Sequence, residues 1–390
     1  MSEFNASNFK KEEGGQGPDI IGTTELTSPY FMVPPSGTTA QRPSGCAPGT
    51  LRFNTDIGSL EYYKGDTLGW ESINRTTPIL GGAIGPTYAG STSGTGARAI
   101  WAGGLNPSVV SDIDFLTIST LGNAQDFGDL TTAQYNSGTT SDRTRGILAG
   151  GRTPSFHQNI DFITISSTGN AVDSGSDLLA TYNPAALASS TRGVFGITSG
   201  PAYSNAIDYI TIQSIGTAVD FGDLTDARGY GGALSSSTRG LYLGGIDTNP
   251  PSTVFNIIDY ITIASLGNAV DFGDMTNVAL VNGCAANSTR GLCFGGSPDN
   301  SACINVINFV TIATLGNAVD FGDIGAGASK QTSAASSPTR AVVALGIVCP
   351  AKVNTAEYVE ISTTGNSIDF GDMITTSTDR RATSNAHGGL

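Results

Sequence analysis

Paired acidic residues are the groups in this sequence whose type and spacing come nearest to a catalytic arrangement. The tetrapeptide Asp-Phe-Gly-Asp places two carboxylates three residues apart, as at Asp126 and Asp129 or at Asp220 and Asp223. Glycoside hydrolysis uses two carboxyl groups that flank the scissile bond. The tetrapeptide begins at five positions, Asp126, Asp220, Asp271, Asp320 and Asp369. Catalytic groups normally occur once and converge from different elements, so we assign these aspartates to the structure of a repeated unit.

Histidine is too scarce to support the common alternatives. The chain has 2 histidines, His157 and His387, whereas a Ser-His-Asp hydrolase needs a histidine held between a serine and an acid. A calcium site needs about six to eight oxygen ligands, more than one Asp-Phe-Gly-Asp segment supplies. The sequence therefore predicts no catalytic residue, no metal site and no cofactor.

Three markers recur in the same order along most of the chain. The first is an arginine, at Arg98, Arg145, Arg192, Arg239, Arg290 and Arg340. The second is an Asp, Asn or Glu before an aromatic or apolar residue, at Asp114, Asp161, Asp208, Asp259, Asn308 and Glu357. The third is the Asp-Phe-Gly-Asp segment, loosened at residues 173–177. Successive arginines lie roughly 47 to 51 residues apart, which is typical of a four-stranded repeat.

Each repeat predicts four strands and no helix. In one copy, a small-residue strand at 230–236 comes first and innermost, and a strand closed by Gly244 and Gly245 comes second. The alternating run at 257–263 is third, and the Asp-Phe-Gly-Asp strand at 271–274 is outermost. We expect the acidic residues of that last strand to discourage edge-to-edge pairing. The repeated arginine lies at the turn into the second strand, where we expect it to contact an acidic side chain or carbonyls between repeats.

The repeats predict an all-β ring of six four-stranded units over residues 96–390. Residues 381–387 resemble an innermost strand with no second strand after it, and this strand could close the ring by joining the first unit. A similar small-residue stretch at 88–92 competes for the same place. Both possibilities stay open.

The repeats resemble kelch-type β-propellers over about residues 85 to 390. Galactose oxidase and the kelch adaptor proteins share the glycine pair after the second strand. The family usually has a tryptophan in the fourth strand, where this sequence has Phe127, Phe221, Phe272, Phe321 and Phe370. The resemblance implies a six-bladed kelch-like β-propeller. It does not imply the copper chemistry of galactose oxidase, because two isolated histidines do not supply the ligands that copper needs.

Composition excludes several classes of partner. The net charge is −14 and the 19 Lys and Arg residues are dispersed, so we expect no nucleic acid and no anionic membrane surface as partner. We also expect no signal peptide and no membrane insertion, because no apolar run is long enough. The cysteines, Cys46, Cys284, Cys293, Cys303 and Cys349, are odd in number and lack Cys-x-x-Cys spacing. We expect them to be reduced and small packing residues, with Cys284 facing Cys293 on adjacent strands.

The front of the chain is organised differently. Residues 1–23 are polar and predict a flexible arm. Prolines flank the aromatic pair Tyr30 and Phe31, which indicates an extended segment. Residues 51–54 and 60–63 predict a hairpin around a turn at 55–58, and a short strand at Trp70 covers it. We place a β-hairpin module at 24–75 and a linker at 76–95.

This module resembles one found in bacteriophage tail fibres and other virion proteins. The shared pattern is Arg-Pro at 42–43, Gly-Thr-Leu-Arg-Phe-Asn-Thr at 49–55, Leu-Glu-Tyr-Tyr at 60–63 and Trp70. The resemblance implies attachment to a virion assembled in the host cytoplasm, through residues 1–75 and other virion proteins, in multiple copies or as a homo-oligomer. The candidate anchor residues are Tyr30, Phe31, Phe53, Tyr62 and Trp70.

The leading interpretation is a non-enzymatic virion protein whose propeller faces outward as a fibre or adhesin for a host surface glycan or protein. A binding surface, where one exists, is expected in the connections between second and third strands, at 105–112, 152–159, 246–256 and 297–305, with Phe156, His157, Pro250 and Pro251 exposed. The alternative is that these loops only tolerate insertions. The alternatives are a head or neck decoration without a receptor role, a glycan-degrading virion enzyme, and a cellular scaffold.

Overall fold

The protein is all-β, as the sequence predicts. The computed structural model describes residues 34–56, 59–67, 69–72, 97–179, 184–199, 202–247, 252–280 and 282–390. The chain divides into two compact units, Met1–Thr77 and Pro78–Leu390. The predicted arm (1–23) and linker (76–95) lie outside the described residues. The same holds for Tyr30, Phe31, Pro250 and Pro251. Within the described ranges the one helical segment is a 3-10 turn at Thr39–Gln41.

The first unit contains a four-stranded sheet. Its strands are β1 (Ser36–Gly37), β2 (Leu51–Asn54), β3 (Ser59–Tyr63) and β4 (Trp70–Ser72), and they lie in this order. The predicted hairpin and third strand are present, because β2, β3 and β4 pair antiparallel. Strand β1 pairs parallel to β2. The sequence does not predict β1, because a strand of two residues is too short to show an alternating apolar pattern.

The second unit begins with three repeats of strands. The first contains β5 (Arg98–Ala102), β6 (Leu105–Asn106), β7 (Ser108–Val109), β8 (Asp112–Thr117) and β9 (Gln125–Asp129). The second contains β10 (Gly138–Ser141), β11 (Arg145–Thr153), β12 (Ser155–Thr164) and β13 (Val172–Asp177). The third contains β14 (Ala185–Ala188), β15 (Arg192–Gly196), β16 (Thr198–Ser199), β17 (Tyr203–Ser204), β18 (Ala206–Thr211) and β19 (Val219–Asp223).

Three further repeats and one last strand follow. The fourth repeat contains β20 (Gly232–Ser235), β21 (Arg239–Leu243), β22 (Ile246–Asp247), β23 (Thr253–Val254), β24 (Ile257–Thr262) and β25 (Val270–Asp274). The fifth contains β26 (Gly283–Ala286), β27 (Arg290–Phe294), β28 (Val306–Thr311) and β29 (Val319–Asp323). The sixth contains β30 (Ser329–Lys330), β31 (Ser333–Ser336), β32 (Arg340–Ala344), β33 (Ile347–Val348), β34 (Ala351–Lys352), β35 (Thr355–Glu360) and β36 (Ile368–Asp372), and β37 (Arg381–Ser384) is last.

These strands form six four-stranded antiparallel sheets in the described part of the second unit. We name them sheet I (β37-β5-β8-β9), sheet II (β10-β11-β12-β13), sheet III (β14-β15-β18-β19), sheet IV (β20-β21-β24-β25), sheet V (β26-β27-β28-β29) and sheet VI (β31-β32-β35-β36). The strand order within each sheet is the predicted one. Sheet I takes its first strand from the far end of the sequence, because β37 pairs with β5 in the register Arg381 to Ala102. The competing stretch at 88–92 lies outside the described residues.

The first strands of the sheets contact one another in a closed order. Strand β10 contacts β14, β14 contacts β20, β20 contacts β26, β26 contacts β31, β31 contacts β37, and β37 contacts β10. The approach is close enough to require small residues. A Cβ placed on Gly232 would lie 2.3 Å from Sγ of Cys284 and 2.6 Å from Oδ1 of Asn282 in the next sheet. The small-residue strands are therefore small because another strand, rather than solvent, lies beside them.

Apolar clusters fill the space between consecutive sheets. One cluster joins sheets IV and V, with Leu241, Phe272 and Val310 among its buried members. Equivalent clusters join V to VI, VI to I, III to IV, I to II and II to III. Each sheet thus buries both faces against its two neighbours, and burial of this apolar area is the main stabilising contribution.

The outermost strand of a sheet is covered by the next sheet rather than left as an open edge. The amide groups of Gly316 and Ala318 donate to the carbonyls of Phe272 (2.9 Å) and Asp274 (2.7 Å) on β25. Gly273, at φ +143°, lies so near this loop that an added Cβ would be 2.7 Å from the backbone of Gly316. The backbone of the next sheet therefore occupies part of this edge, and the expectation that the acidic residues discourage edge-to-edge pairing stays a prediction.

The repeated arginine links each sheet to the next. Arg239 donates from Nη1 to the carbonyl of Ile312 at 2.8 Å, and its guanidinium lies 4.6 Å from the ring centre of Tyr260. The five equivalent bonds join Arg98 to Ile165, Arg145 to Ile212, Arg192 to Ile263, Arg290 to Ile361 and Arg340 to Ile118. Of the two predicted kinds of contact, the carbonyl contact is the one shared by all six, and Arg340 also pairs with Glu360.

We predict that Arg239→Ala lowers the free energy of unfolding by about 2 kcal/mol, since it removes a charge-assisted hydrogen bond and a cation–π contact. Chemical denaturation followed by circular dichroism measures this change. The matched control is Arg143→Ala, which removes an exposed arginine bonded to the carbonyl of Leu390 and should change stability by less than about 0.5 kcal/mol. Equal stabilities for the two variants would show that the arginine link contributes nothing.

Candidate functional site

The buried polar side chains of the third strands connect adjacent sheets. Asp114, Asp161, Asp208, Asp259, Asn308 and Glu357 are all at most 4% exposed. Asp259 accepts from the hydroxyl of Thr225 (2.8 Å) and from its amide (3.2 Å), and Thr225 follows the outermost strand of sheet III. Asn308 accepts in the same way from Thr276. These side chains are engaged in holding adjacent sheets together.

The aspartates that begin the Asp-Phe-Gly-Asp segments lie elsewhere. Asp126, Asp220, Asp271, Asp320 and Asp369 are exposed, each on the outermost strand of a different sheet. Asp271 is opposite the buried Asp259 in the strand register, and its carboxylate accepts from the amide of Gly273. The fold therefore distributes these five carboxylates over five sheets instead of bringing them to one place.

Two buried arginines were missed by the sequence interpretation. Arg228 is fully buried, pairs with Oδ2 of Asp259 at 3.0 Å and donates from Nε to the carbonyl of Gly244 at 2.9 Å. Arg380 pairs with Asp114 and donates to the carbonyl of Gly103. Burial raises the pKa of Asp114, and Arg380 offsets part of that effect. The sequence gives only a weak signal for these two arginines, because an arginine pairs with the buried acid of the third strand in only two of the six sheets.

One end of the second unit collects the residues that differ between sheets. We call it the loop face: the connections between second and third strands together with the residues just before each first strand. Backbone bridges join the two kinds of segment, as between Tyr135 and Arg152 or between Gly229 and Ile246. Several of the predicted loops contain small hairpins, such as β6 with β7 and β22 with β23. Local pairing of this kind fixes their conformation against the sheets.

The prediction of an exposed loop at 152–159 is wrong. Strands β11 and β12 continue through it, pairing Arg152 with Phe156 and Gly151 with His157. Phe156 and His157 are half-buried. The guanidinium of Arg152 lies 5.0 Å from the ring centre of Phe156 and 6.0 Å from that of Tyr135. Burial lowers the pKa of His157, which favours the neutral ring.

A second aromatic group lies on the same face. The rings of Tyr203 and Tyr230 meet edge to face with centres 6.2 Å apart, and burial raises the pKa of Tyr203 to about 12. Unlike the repeated residues, these tyrosines, Arg152 and Phe156 occur at places that vary from sheet to sheet. Singular side chains on a rigid scaffold are what a recognition surface requires.

A small cavity opens among the beginnings of the first strands. All six sheets contribute to its lining, with Arg381, Thr139, Ala185, Gly232, Asn282 and Ser333 as representatives of sheets I to VI. We call it the inner cavity. It lies at the same end of the strands as the loop face, because the first residue of each first strand pairs with the last part of the second strand.

A disulfide joins Cys303 to Cys349, with Cα atoms 6.2 Å apart. The expectation of reduced cysteines is therefore wrong for this pair. The bond connects loop-face segments of sheets V and VI, whose approach depends on the packing of whole sheets and leaves no spacing signal in the sequence. Cys284 and Cys293 are directly opposite each other in the strand register, as expected, and they are not joined.

The first unit buries charge and exposes apolar side chains. Glu61 is fully buried and bonds Arg42 (2.7 Å), Asn54 (3.1 Å) and Arg52 (3.5 Å). These four residues belong to the segments Arg-Pro (42–43), Gly-Thr-Leu-Arg-Phe-Asn-Thr (49–55) and Leu-Glu-Tyr-Tyr (60–63), and the buried network is a physical reason for their residue types. Trp70 lies on the same side, with its ring centre 5.3 Å from that of Tyr63.

The opposite side of this sheet is mostly apolar, with Glu71 at its edge opposite Tyr62. Because strand side chains alternate between faces, Leu51, Phe53, Leu60 and Tyr62 lie together away from Glu61. Leu51 is 48% exposed and Leu60 is 40% exposed. We call these four residues the apolar face. Two candidate anchor residues, Phe53 and Tyr62, belong to it, whereas Trp70 does not.

In the described ranges, no three His, Cys, Asp or Glu side chains converge in a way that could hold a metal ion. No helix among the described residues is long and apolar enough to cross a bilayer.

No protein-family model matches this chain, and no similar sequence was found among curated proteins.

We predict that Asp259→Asn destabilises the fold by about 3 kcal/mol, because it leaves the guanidinium of Arg228 buried without its counter-ion. Sheet V already has the neutral arrangement, with Asn308 bonded to Asn277 and Thr276. Adding Arg228→Ala to Asp259→Asn should therefore recover more than half of the loss, as measured by denaturant unfolding. Additive losses in the double variant would contradict the coupling.

The first unit should lose stability in acid through Glu61. Hydrogen bonding to Arg42 holds the pKa of Glu61 below its ordinary value. The contribution of this carboxylate is therefore complete above the ordinary pKa and is lost as the pH falls through the lowered one. Trp70 fluorescence in a Trp101→Phe background reports thermal unfolding of this unit alone. The midpoint difference between that parent and its Glu61→Gln variant should shrink from about pH 7 to about pH 3; a constant difference would contradict the loss of the Glu61 contribution in acid.

Proposed function

We propose that the six sheets of the second unit are the blades of a six-bladed, kelch-like β-propeller. The closed order of first-strand contacts supports this arrangement, as do the six apolar clusters between consecutive sheets. Pairing of β37 with β5 joins the two ends of the repeated region within one sheet. The fourth-strand phenylalanines take the place of the usual kelch tryptophan: Phe272 packs edge to face with Tyr260 at 6.2 Å.

We propose further that the protein is a non-enzymatic structural component of a bacteriophage virion, attached through its first unit. The observation that carries this proposal is the apolar face, where Leu51 and Leu60 are exposed and Phe53 and Tyr62 are half-buried, while the polar network around Glu61 is buried. An exposed apolar sheet face is stabilised when another protein covers it. A virion supplies such a partner, either another virion protein or further copies of this chain.

In this proposal the propeller is displayed outward and the loop face contacts the host surface. Its ligand would be a host glycan or protein, bound by the singular aromatic and charged residues around Arg152 and Tyr230. The repeated residues are engaged between sheets, which favours a rigid display scaffold over an enzyme. Two other roles remain as alternatives, a head or neck decoration without a receptor and a glycan-degrading virion enzyme.

The attachment is tested by Leu51→Asp with Leu60→Asp, introduced into the gene in its native particle-producing setting. We expect at least a tenfold loss of this protein from purified particles, measured by quantitative mass spectrometry, because two buried charges would oppose docking. The matched control is Leu266→Asp, a leucine of the second unit that is 54% exposed, and it should be incorporated normally. Normal incorporation of the double variant, or of a chain lacking residues 1–75, would refute attachment through the first unit.

The role of the propeller is tested by incubating the purified protein with envelope glycans of the host. Retention without cleavage supports the adhesin. Shortened glycan chains would establish the enzyme instead, and neither binding nor cleavage, together with normal incorporation into particles, would favour the decoration role.

A further inference from the structure

The inner cavity contains one long cation in a ring of small residues. At the first position of the first strand, five sheets have Gly138, Ala185, Gly232, Gly283 and Ser333, and sheet I has Arg381. Arg381 is the only charged residue among those that line the cavity. The repeated fold does not need an arginine at this position, since the other five sheets pack with Gly, Ala or Ser there.

Polar groups beside Arg381 have hydrogen-bonding capacity that the protein does not use. Asn282 is 1% exposed, and neither its Nδ2 nor its Oδ1 has a partner in the protein. Nε of Arg381 is also buried without a partner. Leaving such groups unpaired costs about 1–3 kcal/mol each. The cavity thus presents unpaired donors from two sheets, Asn282 of sheet V and Arg381 of sheet I.

The nearest acid does not neutralise this arrangement by direct pairing. The charge of Asp379 acts on Arg381, but both carboxylate oxygens of Asp379 accept from Nε2 of Gln331 at 2.9 Å. Thr378 also donates to it. Burial raises the pKa of Asp379, and burial lowers the pKa of Arg381 while the charge of Asp379 opposes that effect. Arg381 is the charged residue that lines the cavity, and a guanidinium attracts an anion.

The size of the cavity suits a small anionic group. Its volume is about 50 Å³, and a water needs about 10–15 Å³, so roughly three to five water-sized groups fit. A carboxylate group has three heavy atoms and is planar. A phosphate or sulfate is larger and tetrahedral.

We propose that the inner cavity binds a carboxylate group, held by the guanidinium of Arg381 and the side-chain amide of Asn282. The planar guanidinium matches two carboxylate oxygens at once. The carboxylate belongs either to a small free acid or to a uronic-acid residue of an acidic glycan that reaches in from the loop face, where Tyr230 precedes the lining residue Gly231. This site does not depend on the proposed virion role, because it is built entirely by the second unit.

Access is from the loop face, because residues 385–390 cover the other ends of the first strands. The amide of Gly388 donates to the carbonyl of Ala286 at 2.8 Å, and Nε2 of His387 lies 2.8 Å from the carbonyl oxygen of Ser141. A Cβ on Gly389 would lie 1.9 Å from the carbonyl oxygen of Ala188. This segment leaves no room for a ligand at that end.

Isothermal titration of the full-length protein with sodium acetate and with sodium glucuronate, at constant ionic strength, tests the proposal. Arg381→Ala should raise the Kd at least tenfold while retaining the fold, since the other sheets have Gly, Ala or Ser at this position. Asn282→Ser should weaken binding in the same direction. Arg143→Ala removes an exposed arginine outside the cavity and should leave the Kd unchanged.

Binding of both acids, or of acetate alone, supports a site for free carboxylates. Binding of glucuronate alone, with no response to glucose, supports the glycan source. The proposal is overturned if neither acid binds, if chloride binds equally well, or if Arg381→Ala leaves the Kd unchanged. None of these results bears on incorporation into particles, which is tested separately through Leu51 and Leu60.

Discussion

The packing of each sheet against its two neighbours is the constraint on which the second unit depends, and the hydrogen bond from each repeated arginine to a carbonyl of the following sheet links consecutive sheets. A four-stranded sheet of this length cannot bury its apolar faces alone, and it does so here by packing against two neighbours. At the edge of each apolar cluster a guanidinium lies over an aromatic ring and satisfies a carbonyl that follows the third strand of the next sheet. The series of arginine links includes the one from Arg340 in sheet VI to the carbonyl of Ile118 in sheet I. Through these links, the stability of each sheet depends on its neighbours.

Much of this could be read from the sequence because the repeat makes each physical requirement visible six times. Small residues mark the first strands, since a neighbouring strand lies where a side chain would be. Arginine and aromatic residues recur at fixed distances because they stack on each other. The glycine of Asp-Phe-Gly-Asp recurs because a loop backbone approaches it, a reason that the pattern alone did not reveal.

The features that the sequence did not predict are those without periodicity. Arg228 and Arg380 neutralise buried acids in two sheets only. The Cys303–Cys349 bond depends on the approach of loops from different sheets, and the extension of β11 and β12 through 152–159 replaces a loop by local pairing. In the first unit, the roles of Arg42, Arg52 and Asn54 depend on their contacts with Glu61, which no local sequence pattern predicts. Residues of this kind are also the ones on which the proposed recognition functions depend, since a residue repeated in every sheet is already occupied.

In the proposed propeller the six sheets close on themselves, so that sheet I covers the outermost strand of sheet VI as every other sheet covers its predecessor. Amide hydrogen exchange tests this directly. Between sheets VI and I, the amides of Gly122 and Ala124 donate to the carbonyls of Phe370 and Asp372. Between sheets III and IV, the amides of Gly267 and Ala269 donate in the same way to the carbonyls of Phe221 and Asp223. Closure predicts similar protection for both pairs. Exchange of Gly122 and Ala124 at the rate of free peptide, with Gly267 and Ala269 protected, would contradict it.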